Sequence, residues 1–386
     1  MVDRDGNGWT TCDLGHRHWG RFGAAGLLAY APGSAEQADM AGRRGRAHGA
    51  GQGDRGGQSG QGDRGATTYV LLQRRSWWGN HGGTWGPPGG ARDSHESAAT
   101  AAFREAEEEC AMPAGAVSAR GILLDDHGGW SYQTVVAAAP RQFPVRAVSS
   151  ETSKASWVAA EDVAALDLHP GFAAWWPVLR EALLPLTIIV DAANVMGSRP
   201  DGWWRDRAGA ARRLRDQLVE LAAEGVAALP ETMQVPALEL WYPEIVLVVE
   251  GAARSVAAVH AAGPRRGDGS GLPGGEHGRG AGRAPGSAGG RGPGSAGGRG
   301  PGSAGGRGPG SAGGRGPGSA SGGELGSAGG RVRVIAAPGS GDDTIAEVAA
   351  DLEGRRLVVT ADRELRARCE AAGASVTGPR WLLAQL

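Results

Sequence analysis

The segment Gly90–Met112, GARDSHESAATAAFREAEEECAM, decides the first half of the fold. Its apolar residues recur at helical spacing and predict a helix over 94–112, with one face formed by Ala99, Ala102, Phe103, Ala106 and Cys110. Either Asp93 or Ser94 is in position to cap the start of this helix. The opposite face carries three carboxylates at i, i+3 and i+4, namely Glu105, Glu108 and Glu109. Carboxylates this close repel one another, and a hard divalent cation converts that repulsion into binding.

The spacing of the charged residues is more specific than an acidic helix face. The pattern G-x5-E-x7-R-E-x2-E-E fixes six positions over 20 residues, from Gly90 to Glu109. It resembles the Nudix box, and the resemblance extends over about residues 18–184. That resemblance implies an α/β/α sandwich around a mixed sheet. It also implies hydrolysis of a nucleoside diphosphate linked to another moiety, with Mg²⁺ or Mn²⁺ as the cofactor.

The resemblance also implies a role for each matching residue. Gly90 is expected to offer its backbone carbonyl to the metal, while Glu96 and Arg104 are expected to pair and support the loop. The expected metal ligands and catalytic residues are Glu105, Glu108 and Glu109. Which glutamate acts as the base differs among family members, so the resemblance does not fix it.

One position departs from the family pattern. Relatives have glycine where this chain has Ala111, just after the helix. Glycine there permits a left-handed residue at the helix end, and alanine costs about 1 kcal/mol in that conformation. The ligands lie within the helix, so we expect a cost in stability.

Residues that select the substrate lie outside the box. Base-stacking candidates are Trp77, Trp78, Trp85, Trp130 and Tyr132, although aromatic residues more often pack in the core or in loops. Glu151 is a candidate for an additional acidic ligand, with surface exposure as the alternative. The sequence leaves open which nucleotide derivative is cleaved.

A second α/β unit is predicted after residue 186. Short apolar segments alternate with helices and predict a parallel sheet, with strands near 187–191, 245–250, 332–337, 357–362 and 374–378. The strings VDAANV, VVEGAA, GSGDDTI and VVTADRELR resemble the PIN/NYN-type ribonuclease fold over about 186–386. Together the two resemblances imply an α/β architecture, with a Nudix domain over 18–184 and a PIN/NYN-like domain over 186–386.

Acidic residues at strand ends of the second unit form a second candidate metal site. The residues are Asp191, Glu250, Asp343 and Asp362. Carboxyl ends of parallel strands share one edge of a sheet, where a metal could be held to cleave RNA. The alternative is helix capping, because Asp342 and Asp362 each precede a helix.

Two segments are too rich in glycine to bury apolar surface. Residues 32–66 and 262–330 are predicted to be disordered insertions, and arginine recurs every eight residues within the second. An Arg/Gly segment can contact RNA backbones, but slippage of a repeat explains it without a function.

The remaining features concern where the protein is located in the cell and what it binds. The net charge of −1 gives no general bias toward nucleic acid. Three cysteines far apart in sequence, with no apparent signal peptide or membrane span, predict a cytoplasmic protein. Cys12, His16 and His18 resemble part of a zinc site that lacks a fourth ligand. Homodimers are frequent among Nudix proteins, so the resemblance makes a homodimer a candidate arrangement for this chain.

Three functional hypotheses follow. The first is a Mg²⁺-dependent Nudix pyrophosphohydrolase acting on a nucleotide derivative. The second places a metal-dependent ribonuclease activity in the C-terminal half. The third is a non-catalytic Nudix module that senses a nucleotide, which the intact Glu105, Glu108 and Glu109 disfavour.

Overall fold

The computed structural model describes residues 4–33, 67–257 and 328–386. The predictions for the two glycine-rich segments concern residues that lie almost wholly outside these ranges. The strands are β1 Trp9–Thr11, β2 Arg17–Trp19, β3 Ala24–Pro32, β4 Thr68–Arg75, β5 Trp85–Gly86, β6 Gly89–Ala91, β7 Ser118–Asp126, β8 Ser131–Ala138, β9 Thr152–Ala159, β10 Leu186–Asp191, β11 Leu240–Trp241, β12 Glu244–Val249, β13 Val332–Ala336, β14 Arg355–Val359 and β15 Ser375–Thr377. The helices are α1 Ala98–Cys110, α2 Pro170–Ala182, α3 Ala192–Gly197, α4 Arg207–Glu224, α5 Ala328–Arg331, α6 Gly341–Asp351, α7 Arg363–Ala371 and α8 Pro379–Leu383.

The first sheet is mixed, as the Nudix resemblance implies. Its strands run in the order β11-β7-β8-β3-β4-β5, with β6 paired to β3 and β9 paired to β4. Strand β3 is parallel to β8 and antiparallel to β4. Successive side chains of a strand point to opposite faces, so Leu27 packs with the α1 side and Leu28 with the α2 side. The sheet therefore lies between two helices.

Helix α1 begins later than the sequence predicted. Its N-cap is Ser97, whose hydroxyl accepts a hydrogen bond from the backbone N–H of Thr100 at 3.1 Å. The predicted cap Asp93 instead accepts from the backbone N–H of Gly6 at 2.7 Å. At the other end, Ala111 is left-handed with φ 56° and ψ 36°, which confirms the conformation expected there.

The second sheet is parallel, with strand order β13-β12-β10-β14-β15. All five predicted strands are present. Helices α3 and α4 pack through apolar side chains such as Val195 and Leu214 on one face, and α6 and α7 pack through Ile345 and Leu365 on the other. The central strand β10 is buried along its whole length, as expected for a strand covered by helices on both faces.

The second half of the chain also contributes a strand to the first sheet. Strand β11 pairs antiparallel with β7, Leu240 opposite Ile122 and Trp241 opposite Gly121. Trp241 also exchanges two backbone hydrogen bonds with Val226. The predicted domain boundary between residues 184 and 186 assigns β11 to the second unit, yet β11 pairs with the sheet of the first unit. The sequence did not predict this pairing.

A hairpin precedes the first sheet. Strands β1 and β2 form a two-stranded antiparallel sheet with Trp9 opposite Trp19. The sequence did not predict this hairpin as a separate element. None of the helices in the described ranges is long and apolar enough to cross a membrane.

Candidate active site

Three of the glutamates of α1, Glu105, Glu108 and Glu109, line one cleft of about 480 Å³. They share this cleft with Gly90, which lies on β6 beside the helix. The cleft is formed where the loop between β5 and α1 passes along the helix. The four residues that the sequence proposed as metal ligands are therefore brought together, although their role as ligands stays a prediction.

Glu109 is the most buried of the three, with 5% of its surface exposed. Its Oε2 accepts hydrogen bonds from Gln73 Nε2 at 2.7 Å and from the backbone N–H of Gly89 at 2.8 Å. Burial raises the pKa of Glu109 to about 8, and the neighbouring Glu105 carboxylate acts in the same direction. Gln73 is itself oriented by the hydroxyl of Thr152, which donates to its Oε1.

Glu105 lies directly against the backbone of Gly90. A Cβ at Gly90 would come within 2.6 Å of Glu105 Oε1, so no larger residue fits here without displacing the carboxylate. Burial raises the pKa of Glu105, and a 2.6 Å hydrogen bond from Arg104 Nη1 opposes that rise. The loop backbone and the helix carboxylate are thus in contact at the position where the sequence predicts a shared metal.

Glu108 is the most exposed of the three and is held by arginines. Its carboxylate pairs with Arg4, which comes from the segment before β1. Arg104 Nη1 lies 3.7 Å from its other oxygen. Arg4 thus balances part of the negative charge that the helix face accumulates.

Glu96 and Arg104 form a two-point ion pair. Arg104 donates from Nε to Glu96 Oε1 and from Nη2 to Glu96 Oε2, both at 2.8 Å, and from Nη2 to the carbonyl of Ala91 at 3.0 Å. Burial acts to raise the pKa of Glu96, but the hydrogen bonds from Arg104 hold it below its ordinary value. This contact ties the loop to α1, consistent with the supporting role expected from the resemblance.

The donor set fits a hard divalent cation. Three carboxylates and one backbone carbonyl are all oxygen donors, which Mg²⁺ and Mn²⁺ prefer. A cation at this point would offset the mutual repulsion of Glu105 and Glu109 and the burial of the latter. The residues present therefore fit the metal that the resemblance implies.

A second cavity of about 350 Å³ adjoins the first. Trp130 and Tyr132 line both cavities, so these two aromatic candidates are at the cleft. The ring of Trp130 stacks on His18 with centroids 3.9 Å apart and planes 9° apart. Trp77 and Trp78 are instead 86% and 54% exposed and are not among the described residues that line either cavity.

Trp85, the remaining aromatic candidate, lies in β5 under the amino group of Lys154 and is not among the described residues that line either cavity. Three other residues do line the cavities and were not proposed from the sequence. Arg17, Arg75 and His169 line both cavities. They come from three separate segments, and nothing in their local sequence marks them. Glu151 does line the larger cavity.

The second acidic group gathers at the carboxyl edge of the parallel sheet. Asp191 is buried, and its Oδ2 accepts from Thr360 Oγ1 at 2.8 Å. The same hydroxyl accepts from the backbone N–H of Asp362 at 3.2 Å, so one threonine links the two aspartates. Glu250 approaches from β12 and accepts from the backbone N–H of Gly341 at 2.9 Å.

The structure places Asp342, rather than Asp343, with this group. Asp342 has its pKa raised by burial and then by Asp191, Asp362 and Glu250. Asp343 is exposed and forms a 2.8 Å ion pair with Arg368 on α7. Successive residues of a helix point about 100° apart, so only one of the adjacent aspartates faces the sheet edge.

Two further observations concern the roles of these acids. Asp362 Oδ1 accepts from the backbone N–H of Leu365 at 2.8 Å, so Asp362 also caps α7, as the alternative interpretation expected. Asn194 donates to both oxygens of Asp191, through its backbone to Oδ1 and through its side chain to Oδ2. The side chain of Asp191 is thus fixed in orientation before any ligand binds.

Comparison with known proteins defines the class of the first unit. Residues 61–178 match the NUDIX domain family. A Mycobacterium tuberculosis protein named "Putative 8-oxo-dGTP diphosphatase 3" is 40% identical over 194 residues, 49% of this chain and 74% of that protein. A Bifidobacterium longum "Nucleoside triphosphate pyrophosphatase/Nudix hydrolase fusion protein" is 31% identical over 178 residues, 46% of this chain and 31% of that protein. The crystal structure of the Nudix hydrolase RenU from M. smegmatis is 37% identical with a TM-score of 0.36, covering 46% of this chain and 94% of RenU.

The NUDIX match and the 40% identical relative define a hydrolase that acts on phosphorus-containing anhydrides. The chain belongs to the Nudix hydrolase family. Divalent metals such as Mg²⁺ are general cofactors of that family. The family match ends at residue 178, before β10, so the PIN/NYN resemblance of the second unit stays a prediction.

Proposed function

We propose that the chain is a Mg²⁺-dependent hydrolase of nucleoside diphosphate derivatives, with Glu105, Glu108 and Glu109 as metal ligands. The observation that carries this proposal is their grouping in one cleft with the backbone of Gly90 against Glu105. A non-catalytic sensor would have no need to keep a buried carboxylate such as Glu109 beside two others.

Each group of the chain has a distinct part in this proposal. The glutamates would hold Mg²⁺, which would supply Lewis acidity at phosphorus and neutralise phosphate charge. Gln73 and the N–H of Gly89 hold Glu109 in place, because both donate to the same carboxylate oxygen. Arg17 and Arg75 provide positive charge along the cleft that suits an anionic substrate.

The proposed substrate class is an oxidised purine nucleoside triphosphate, cleaved to a nucleoside monophosphate and pyrophosphate. Support comes from the 40% identical relative, whose name specifies 8-oxo-dGTP. The stacked pair of His18 and Trp130 offers flat surface at the cleft for a base.

The test is an assay of the purified full chain with Mg²⁺ and with Mn²⁺ on 8-oxo-dGTP, dGTP, ADP-ribose and a dinucleoside polyphosphate. We expect Glu108→Gln and Glu109→Gln each to lower kcat at least about 100-fold, because each removes a metal ligand. The matched control is Glu107→Gln, an exposed residue of the same helix outside the cleft, which should retain activity. Unchanged hydrolysis in both ligand variants would refute the proposal, and a different preferred nucleotide would refute the substrate class alone.

We propose metal-dependent cleavage of RNA as a second function, at Asp191, Glu250, Asp342 and Asp362. The hydrogen bonds through Thr360 favour it, as does the pKa of Asp342, which is raised by burial and then by the other three carboxylates. The PIN/NYN-like domain over 186–386 is part of this proposal. In addition, we propose that the chain is cytoplasmic, which its buried free cysteines Cys12, Cys110 and Cys369 suit.

This second function has its own matched control. Asp342→Asn should abolish Mn²⁺-dependent degradation of single-stranded RNA, while Asp343→Asn should not, because Asp343 points to Arg368. The two changes are chemically identical and adjacent in sequence. If both variants degrade RNA equally well, the support for this site is removed. Hydrolysis of nucleotides at the cleft beside α1 should be unaffected in both variants.

A further inference from the structure

Four potential metal ligands lie together outside both acidic sites. Cys12, His16, His18 and His127 place one ligand atom each so that all four atoms lie within 4.8 Å of one another. The sequence offered only the first three of these, and the fourth comes from more than a hundred residues further along the chain. Of the four, only His18 enters the proposed hydrolysis, through the ring that stacks on Trp130 and not as a ligand.

The fold itself brings these side chains together. Cys12 and His16 bracket the turn of the β1–β2 hairpin, and the backbone N–H of Cys12 donates to the carbonyl of His16 at 3.0 Å. Gly15 supplies the positive φ of 81° that this turn requires. His18 lies on β2, opposite Thr10.

The fourth residue is held against the hairpin by independent contacts. His127 follows β7, and its backbone N–H donates to the carbonyl of Trp130 at 3.0 Å. The backbone N–H of Asp13 donates to the carbonyl of Gly128 at 2.9 Å, which joins the hairpin turn to the β7–β8 loop. The rings of His18 and His127 are 4.7 Å apart at 82°, and those of His16 and His127 are 6.1 Å apart.

Two imidazole nitrogens in this cluster have no protein partner. Within the described ranges, His18 Nε2 and His127 Nδ1 are buried side-chain atoms without a hydrogen bond. A buried polar atom left unsatisfied costs about 1–3 kcal/mol, so such atoms call for an explanation. The other nitrogen of His127, Nε2, lies 3.3 Å from Asp125 Oδ1. A carboxylate on the far nitrogen is the usual way to orient a metal-binding histidine.

We propose that Cys12, His16, His18 and His127 bind a structural Zn²⁺ ion. One thiolate and three imidazoles suit zinc, whereas the oxygen donors of α1 suit Mg²⁺. Four protein ligands complete a tetrahedral shell and leave no position for water or substrate, which is typical of structural sites. The proposal does not depend on the proposed hydrolysis.

Zinc at this position would fasten the hairpin to the first sheet. The hairpin is short, and a two-stranded sheet by itself is marginally stable in water. It nevertheless carries Trp9, Arg17 and His18, which line the larger cavity. The ion would therefore fix one wall of the cleft without contacting the reacting groups.

The first experiment measures metal content and ligand chemistry in the untagged full chain. We expect close to one zinc ion per chain after purification, with loss of the ion in Cys12→Ala and in His127→Ala. The matched control, Cys369→Ala, replaces another buried cysteine and should keep its zinc. Replacing zinc by Co²⁺ should give a thiolate-to-cobalt charge-transfer band in the chain and in Cys369→Ala, and no such band in Cys12→Ala. Co²⁺ at the glutamates cannot produce that band, because they offer only oxygen.

A second measurement uses the unaltered protein, in case a variant fails to fold. Alkylation of Cys12 should be at least about tenfold slower with Zn²⁺ than after treatment with a chelator, because a thiolate bound to metal is a poor nucleophile. Peptide mapping separates Cys12 from Cys110 and Cys369. Equal alkylation rates with and without zinc, or a cobalt spectrum without the thiolate band, would overturn the proposal.

Discussion

Replacing Ala111 with glycine is expected to stabilise the protein. Ala111 is held at φ 56° and ψ 36° immediately after α1. A residue with a Cβ pays roughly 1–2 kcal/mol in this left-handed conformation, whereas glycine adopts it freely. Glycine also makes the unfolded chain more flexible, which offsets about 0.4–1 kcal/mol of that gain. The expected net rise in the free energy of unfolding is about 1 kcal/mol.

The hydrogen bonds at the helix end make this a clean comparison. The backbone N–H of Ala111 donates to Glu107 at 3.2 Å, and that of Met112 donates to Ala106 at 3.3 Å. Both are backbone bonds, so the substitution preserves them. The glutamate carboxylates are untouched, and the difference in stability isolates the backbone strain at one residue.

Urea unfolding of the wild type and the variant measures the effect. The midpoint should rise with the slope unchanged, since the surface exposed on unfolding is the same. The control is Ala350→Gly, an exposed position within α6, where glycine should cost up to about 1 kcal/mol. If Ala111→Gly leaves the midpoint unchanged or lowers it as Ala350→Gly does, the reasoning from left-handed strain is refuted.

Three further predictions concern charged and titrating groups. Glu96→Gln should lower the free energy of unfolding by about 2 kcal/mol in urea, because it weakens the two-point pair with Arg104; an unchanged value would contradict the supporting role. Arg4→Ala should lower the Mg²⁺ concentration for half-maximal hydrolysis, because the ion pair with Arg4 competes with the metal for the Glu108 carboxylate. A higher concentration would assign Arg4 to substrate binding instead. Burial lowers the pKa of His169 from 6.5 to about 4, so its contribution to stability is present above pH 6.5 and is lost as the pH falls toward 4. Between about pH 7 and about pH 5, the free energy of unfolding measured in urea should fall by about 2 kcal/mol more in the wild type than in His169→Gln, and parallel losses would contradict this sign.

The helix and its acidic face could be predicted because the information is local. Residues at i, i+3 and i+4 share a helix face whatever the rest of the chain does. Burial of Glu109, by contrast, depends on Gln73 from β4 and on Gly89 from the loop. The sequence thus identifies the three glutamates without indicating which of them is desolvated.

For the acids of the second unit, the local pattern predicted the type of residue and its place at the sheet edge. It did not predict which of two adjacent aspartates faces that edge. Strand ends located Asp191 and Glu250 at one edge of the sheet. Asp342 and Asp343 both fall in the first turn of α6, and the pitch of the helix decides which one faces that edge. That orientation depends on how α6 packs on the sheet, which no nearby residue specifies.

Contacts between distant segments account for what the sequence could not predict around the first site. The NUDIX match covers 61–178, yet Arg4, Trp9 and Arg17 line the larger cavity from before β3. The same segment is tied to the Nudix loop by the bond from Gly6 to Asp93, and to the β7–β8 loop by the bond from Trp130 Nε1 to Gly20. In the proposed hydrolysis the box would hold the metal, whereas this segment supplies side chains that a substrate would meet. Two family members with identical boxes can therefore differ in substrate, and a zinc ion that fixes the hairpin would act on binding of the nucleotide rather than on cleavage of the anhydride.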